Sequence, residues 1–131
     1  ATWGKVVASA YERHGADCVV AEKNFGGAMV EFTIRTQQQN IAYKALTASR
    51  GKHVRAEPIS ALVEQGRIRH VGHFRELESE LSAFTTAGYT GDDSPNRADA
   101  YVWLFSELFP GMTTRQREPV RLPSVRRVAR V

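Results

Sequence analysis

The chain has 131 residues, 42% of them hydrophobic, and a formal net charge of +4. That length accommodates one domain with a modest core, and a lone cysteine, Cys18, excludes an intrachain disulfide and is compatible with a reducing compartment. No signal-peptide pattern and no apolar run near the ~18 residues of a membrane span occurs, so a soluble protein without a membrane partner is expected.

In chain order the pattern is mixed α and β. Trp3, Val6, Val7, Ala10 and Tyr11 recur at helical spacing, and Gly15 fits the C-terminal cap of that helix. Cys18 to Ala21 is a continuous apolar run, which predicts a strand buried on both faces, with Cys18 in the core rather than acting as a nucleophile. From Gly27 to Thr36, Met29, Val30, Thr33 and Ile34 form a helical face, and Ile41 to Thr47 fits a second strand. A strand, a helix and another strand make a βαβ unit, normally parallel with a right-handed crossover.

A basic loop is expected next, Arg50-Gly51-Lys52-His53-Val54-Arg55, followed by a short helix from Pro58 with Ile59, Leu62 and Val63 as its apolar face and Gly66 as its stop. Arg67 to Val71 alternates like an exposed strand, and Phe74, Leu77, Leu81 and Phe84 mark another amphipathic helix. Ala87 to Asn96 has loop composition. Ser94 can cap the final helix with Pro95 at its first position. That helix carries Tyr101, Val102, Trp103, Leu104, Phe105, Leu108 and Phe109, an apolar surface wide enough to require several packed neighbours. The domain is expected to span 1–109, with an irregular basic tail over 110–131. Six arginines between Arg115 and Arg130, against Glu118 alone, suit a polyanion, and a solvated tail is the plain alternative.

Sites in open α/β sheets form at the carboxyl ends of the strands. Glu22 stands at such an end, and Gly26-Gly27 lets the backbone turn into the next helix. Asp99, near the start of the last helix, could supply an opposing oxygen. Mg²⁺ is commonly held by one or two carboxylates together with substrate phosphate oxygens. The plainer alternative pairs Glu22 with Lys23 or a nearby arginine and leaves Asp99 to the helix dipole. Arg50, Lys52 and Arg55, with His53, would position a nucleic-acid backbone without reading its sequence, or simply form a solvated loop. His70 and His73 lack the further ligands a zinc site needs. Neither a nucleophilic triad, a phosphate-binding glycine loop nor a dinucleotide fingerprint occurs.

Four motifs follow one another along the chain: Glu22-Lys23-Asn24-Phe25-Gly26-Gly27; Ser49-Arg50-Gly51-Lys52 with Arg55-Ala56-Glu57-Pro58; Glu64-Gln65-Gly66-Arg67; and Ser94-Pro95-Asn96-Arg97-Ala98-Asp99-Ala100. Together they resemble the C-terminal nuclease domain of the large terminase subunit of tailed phages and prophages, from Trp3 to about Phe109. The resemblance implies an α/β, ribonuclease H-like fold, a mixed sheet flanked by helices. It also implies a Mg²⁺- or Mn²⁺-dependent endonuclease that cuts concatemeric double-stranded DNA by two-metal hydrolysis. Glu22 matches the acid of the family's fourth strand and Asp99 that of its final helix, both catalytic and metal-binding. Asp92 and Asp93 lie in the variable loop before that helix, where solvation explains them better than ligation. The implied partners are an N-terminal ATPase domain of the same full-length protein, the portal and the small terminase subunit, in the cytoplasm of the bacterial host.

One departure stands out. The family's first catalytic Asp lies on a strand preceding the helix that begins here near Trp3, so the first three strands are expected to be absent. An open apolar strand edge should then favour self-association, and this chain alone should cut DNA little or not at all. A non-catalytic DNA- or portal-docking module of the same fold is the alternative.

Overall fold

A computed structural model of the chain describes residues 2–23, 27–48 and 51–113. Helix α1 (Thr2–His14) ends at Gly15, whose φ of 56° is open to glycine at no steric cost. The Gly15 amide donates to Glu12 O at 3.1 Å and the Ala16 amide to Tyr11 O at 3.0 Å, the paired closure of a Schellman motif. Strand β1 (Val19–Glu22), helix α2 (Gly27–Arg35) and strand β2 (Tyr43–Leu46) follow, with β1 and β2 parallel and Val19 opposite Tyr43 through to Glu22 opposite Leu46. This is the βαβ unit that the apolar runs predict. Ile34 on α2 and Ile41 just before β2 are 2% and 1% exposed, each contributing about 1.5–3 kcal/mol of burial. Arg35 fixes the return, donating from Nη1 to the carbonyls of Gln39 and Ile41 and from Nε to Glu31.

Helix α3 (Lys52–Glu64) starts earlier than expected and carries Pro58 inside it. Lys52 and Arg55 are therefore helical rather than in a loop, while Arg50 lies outside the described residues. A proline marks a helix start only as a preference. Here Ala56 packs on the core and Arg55 stacks on Trp103, and that packing offsets the lost amide. A second Schellman closure ends the helix at Gly66, φ 68°, with Gly66 N to Val63 O at 2.9 Å and Arg67 N to Leu62 O at 2.9 Å.

The exposed strand expected over Arg67 to Val71 does not form. The turn at Gly66 sends Ile68 back into the core at 4% exposure, while Val71 is 93% exposed with no strand beside it. Helix α4 (Arg75–Ser82) leads into a short antiparallel hairpin, β3 (Phe84–Thr85) and β4 (Gly88–Tyr89), where the sequence offered only loop composition and the end of a helix. Helix α5 (Asn96–Leu108) then crosses the molecule, and a one-turn helix α6 (Pro110–Thr113) folds against α3 and α5 where a tail was expected. The arginine-rich stretch from Arg115 lies outside the described residues.

Ile59, Leu62, Ile68, Tyr101 and Val102 form the main core, flanked by Ala56, Leu77, Leu81, Phe105 and Phe109, so α5 buries one face against both α3 and α4. Among the described residues the parallel and antiparallel pairings make two separate sheets, not one mixed sheet. Cys18, expected in the core, is exposed, and β1 is half-buried rather than buried on both faces. The Val19 and Lys23 amides donate to the carbonyls of Ala42, just before β2, and Leu46, so the backbone of Val20 and Glu22 points to the opposite edge, where no strand lies among the described residues.

Candidate functional site

Parallel pairing brings the carboxyl ends of β1 and β2 together, with Glu22 the last residue of β1. Helix α5 packs on β1 and is fastened at both ends. Near its C-terminus Glu107 pairs with Lys44 of β2; near its N-terminus Asp99 pairs with Lys52, which follows the carboxyl end of β2 at the start of α3. These two ion pairs tie the C-terminal part of α5 to β2 and its first turn, with Asp99, to the start of α3, while Glu22 closes β1.

The two acids differ in their surroundings. Glu22 is half-buried and makes no side-chain hydrogen bond or ion pair among the described residues. Asp99 is 19% exposed and its carboxylate accepts from the Lys52 ammonium. Asp92 and Asp93 are exposed in the turn before α5. No group of three or more His, Cys, Asp or Glu able to hold a metal occurs among the described residues. Carboxylates are the ligand type that suits a hard divalent cation whose remaining ligands are water and phosphate oxygens.

The basic residues of α3 diverge. Lys52 faces Asp99 with its side chain 48% exposed. Arg55 turns inward, its guanidinium 4.2 Å from the centre of the Trp103 ring; its Nε and Nη1, like Trp103 Nε1, are buried without an acceptor. His70 is held by Tyr101, Nε2 to hydroxyl at 2.9 Å, and burial raises the Tyr101 hydroxyl above its ordinary pKa.

Glu80 had no distinguishing signal in the sequence, being one of several glutamates on α4. Ser94 does not cap α5 as expected: the cap position is Pro95, which has no side-chain acceptor. Glu80 supplies one from across the α4–α5 contact. Its Oε2 accepts from the Arg97 amide at 2.8 Å and the Ala98 amide at 2.9 Å, and its Oε1 from Arg97 Nη1 at 3.1 Å. The Ala98 amide foremost, and then Arg97, hold its carboxyl below the ordinary 4.5.

A parallel βαβ unit with α5 packed on its first strand, beside a helical core, defines an α/β domain. The family model for the terminase RNaseH-like domain matches residues 1–108, and the chain belongs to that family. Searches of curated proteins and of solved structures find no match. No helix of the described residues is long and apolar enough to cross a membrane.

Proposed function

We propose that this domain provides part of the site of a divalent-metal-dependent endodeoxyribonuclease that cuts concatemeric double-stranded DNA during viral packaging. The observation that carries this reading is the match to the terminase RNaseH-like family over residues 1–108, in a chain with Glu22 as the last residue of β1 and Asp99 in the first turn of α5. Glu22 and Asp99 would hold Mg²⁺ or Mn²⁺ from the strand side and the helix side. When bound, such metals activate water and stabilise the leaving oxygen in phosphodiester hydrolysis.

The chain's own residues do the rest. Lys52 neutralises Asp99 and, at its 48% exposure, can also reach a phosphate. Arg55 serves through its stacking on Trp103, which fixes the first turns of α3 against α5; Arg50, outside the described residues, would supply a further phosphate contact. An ATPase domain, the portal and the small terminase subunit are the partners this reading calls for. In this reading the chain alone cuts DNA weakly, because two carboxylates hold a metal pair poorly.

Cleavage of supercoiled plasmid with Mn²⁺ tests it, comparing this chain with one extended N-terminally, each with Glu22→Ala and Asp99→Ala. Activity in the extended protein that both substitutions abolish supports the assignment, and cleavage indifferent to both rejects it. The Lys52–Asp99 pair favours a second reading, in which the acids are structural and the domain docks DNA or the portal. Under that reading neither protein cuts with any divalent metal, and neither acid binds Mn²⁺.

A further inference from the structure

The first turn of α5 is held from outside the helix, and that turn carries Asp99. An α-helix leaves its first amides without acceptors inside the helix, and a Ser, Thr, Asp or Asn at the cap position usually supplies one. In α5 the cap position is Pro95, and Ser94 stands one residue too early. The two amides just before Asp99, those of Arg97 and Ala98, both donate to one oxygen of Glu80. Its other oxygen takes the Arg97 guanidinium, and its side chain is only 14% exposed. The Asp99 amide then enters the helical ladder, donating to Pro95 O at 2.8 Å.

We infer that Glu80 is a positioning residue for Asp99: from α4 its carboxylate fixes the first turn of α5 and so sets where the Asp99 carboxylate projects. A cap supplied by residue 94 or 95 would tie that turn to the preceding loop, which includes the exposed Asp92 and Asp93. A cap from α4 ties it instead to the helix that packs on α5 beside the main core. The acid is thereby referenced to packed structure. The inference rests on the reading of Asp99 as a metal ligand.

The test uses Glu80→Gln, whose one carbonyl oxygen can still take both amides but which loses the charge and sets an NH₂ against the Arg97 guanidinium. Amide hydrogen exchange in the metal-free protein reads the order of the turn; Mn²⁺-induced broadening of the same amide signals reads the site. Asp99→Asn is the reference for metal binding. The expected result is roughly fivefold faster exchange at Asp99, the scale of a lost cap, with Val102 and Trp103 unchanged. The Mn²⁺ concentration for half-maximal broadening should rise by a similar factor.

Unchanged exchange at Asp99 overturns the inference without reference to metal. Faster exchange with an unaltered Mn²⁺ response, where Asp99→Asn abolishes that response, reduces Glu80 to a stabilising cap and also overturns it. Should Asp99→Asn itself leave the Mn²⁺ response intact, the metal reading falls and the positioning role falls with it, a failure visible in that variant alone. If Glu80→Gln does not fold, Glu80→Asp, which retains the charge on a shorter arm, carries the same measurements.

Discussion

Removing the Lys52 ammonium should strengthen metal binding while weakening DNA binding. Lys52 and Asp99 form an ion pair whose side chains are 48% and 19% exposed. Such a pair belongs with solvent-screened contacts, worth about 0.2–1 kcal/mol. A cation arriving at Asp99 must overcome that contact. In Lys52→Ala the Mn²⁺ dissociation constant should therefore fall by a factor of about 1.4 to 5, the same energy expressed as a ratio. The melting temperature should drop by only a few degrees, since about 1 kcal/mol corresponds to roughly 4 °C in a domain of this size. Duplex affinity should move the other way, with the salt dependence of binding flattened by about one phosphate contact. Calorimetric titration of Mn²⁺ measures the first effect and fluorescence anisotropy of a labelled duplex the last. Lys44→Ala is the control, because it breaks the Glu107 pair at the far end of α5 and should leave Mn²⁺ binding as it was. A folded Lys52→Ala protein that binds Mn²⁺ no better than the wild type would refute the reasoning, since Lys52 would then not compete at Asp99.

Leu62→Ala, at a side chain 2% exposed in the main core, should cost about 2–5 kcal/mol in denaturant unfolding, whereas Leu108→Ala, 60% exposed, should cost far less. Gly4→Ala sets two effects against each other: helix propensity gains about 1 kcal/mol, but the new Cβ would lie 3.0 Å from both Thr33 Cγ2 and the Thr33 carbonyl oxygen. The backbone oxygen cannot swing aside, so overpacking of about 1–3 kcal/mol should win and thermal melts should show a net loss. Because the Glu80 carboxyl is held below its ordinary 4.5 in the folded chain, its contribution is present above the unfolded value and lost as the pH falls through the folded one. Stability of the wild type should therefore fall more steeply than that of Glu80→Gln across that acid window, and parallel curves would contradict it. The open edge of β1 at Val20 and Glu22 should favour association of two copies, and sedimentation velocity should show a concentration-dependent shift; a single monomer peak at every concentration would count against it.

The βαβ unit was legible because its signals are local. The apolar run at Val19 to Ala21, the helical face at Val30 and Ile34, and the second run ending at Leu46 each fit one element type. Gly15 and Gly66 likewise announced helix ends, since few other residues adopt a positive φ cheaply. Local rules failed where tertiary contacts override them. Pro58 has the signature of a helix start, yet the stacking of Arg55 on Trp103 and the packing of Ala56 carry the helix back to Lys52. Ser94-Pro95 had the composition of a cap and first turn, but the acceptor comes from Glu80, distant in sequence and unremarkable among its neighbours. Cys18 opened an apolar run and still faces solvent, because hydropathy alone does not say where burial begins. Of the candidate site, the acids stand out in the sequence by position, Glu22 at a strand end and Asp99 in a first helical turn. Neither the Lys52–Asp99 pair nor the inward turn of Arg55 could be read there, since both depend on how α3 meets α5.

The central claim is that Glu22 and Asp99 together bind a divalent cation. Anomalous scattering at the manganese edge, from crystals of this protein equilibrated with Mn²⁺, tests it most directly. The account predicts a peak within coordination distance of both carboxylates, lost in Asp99→Asn crystals. A map with manganese only at Asp92 and Asp93 or on scattered surface glutamates, and none between Glu22 and Asp99, would contradict it.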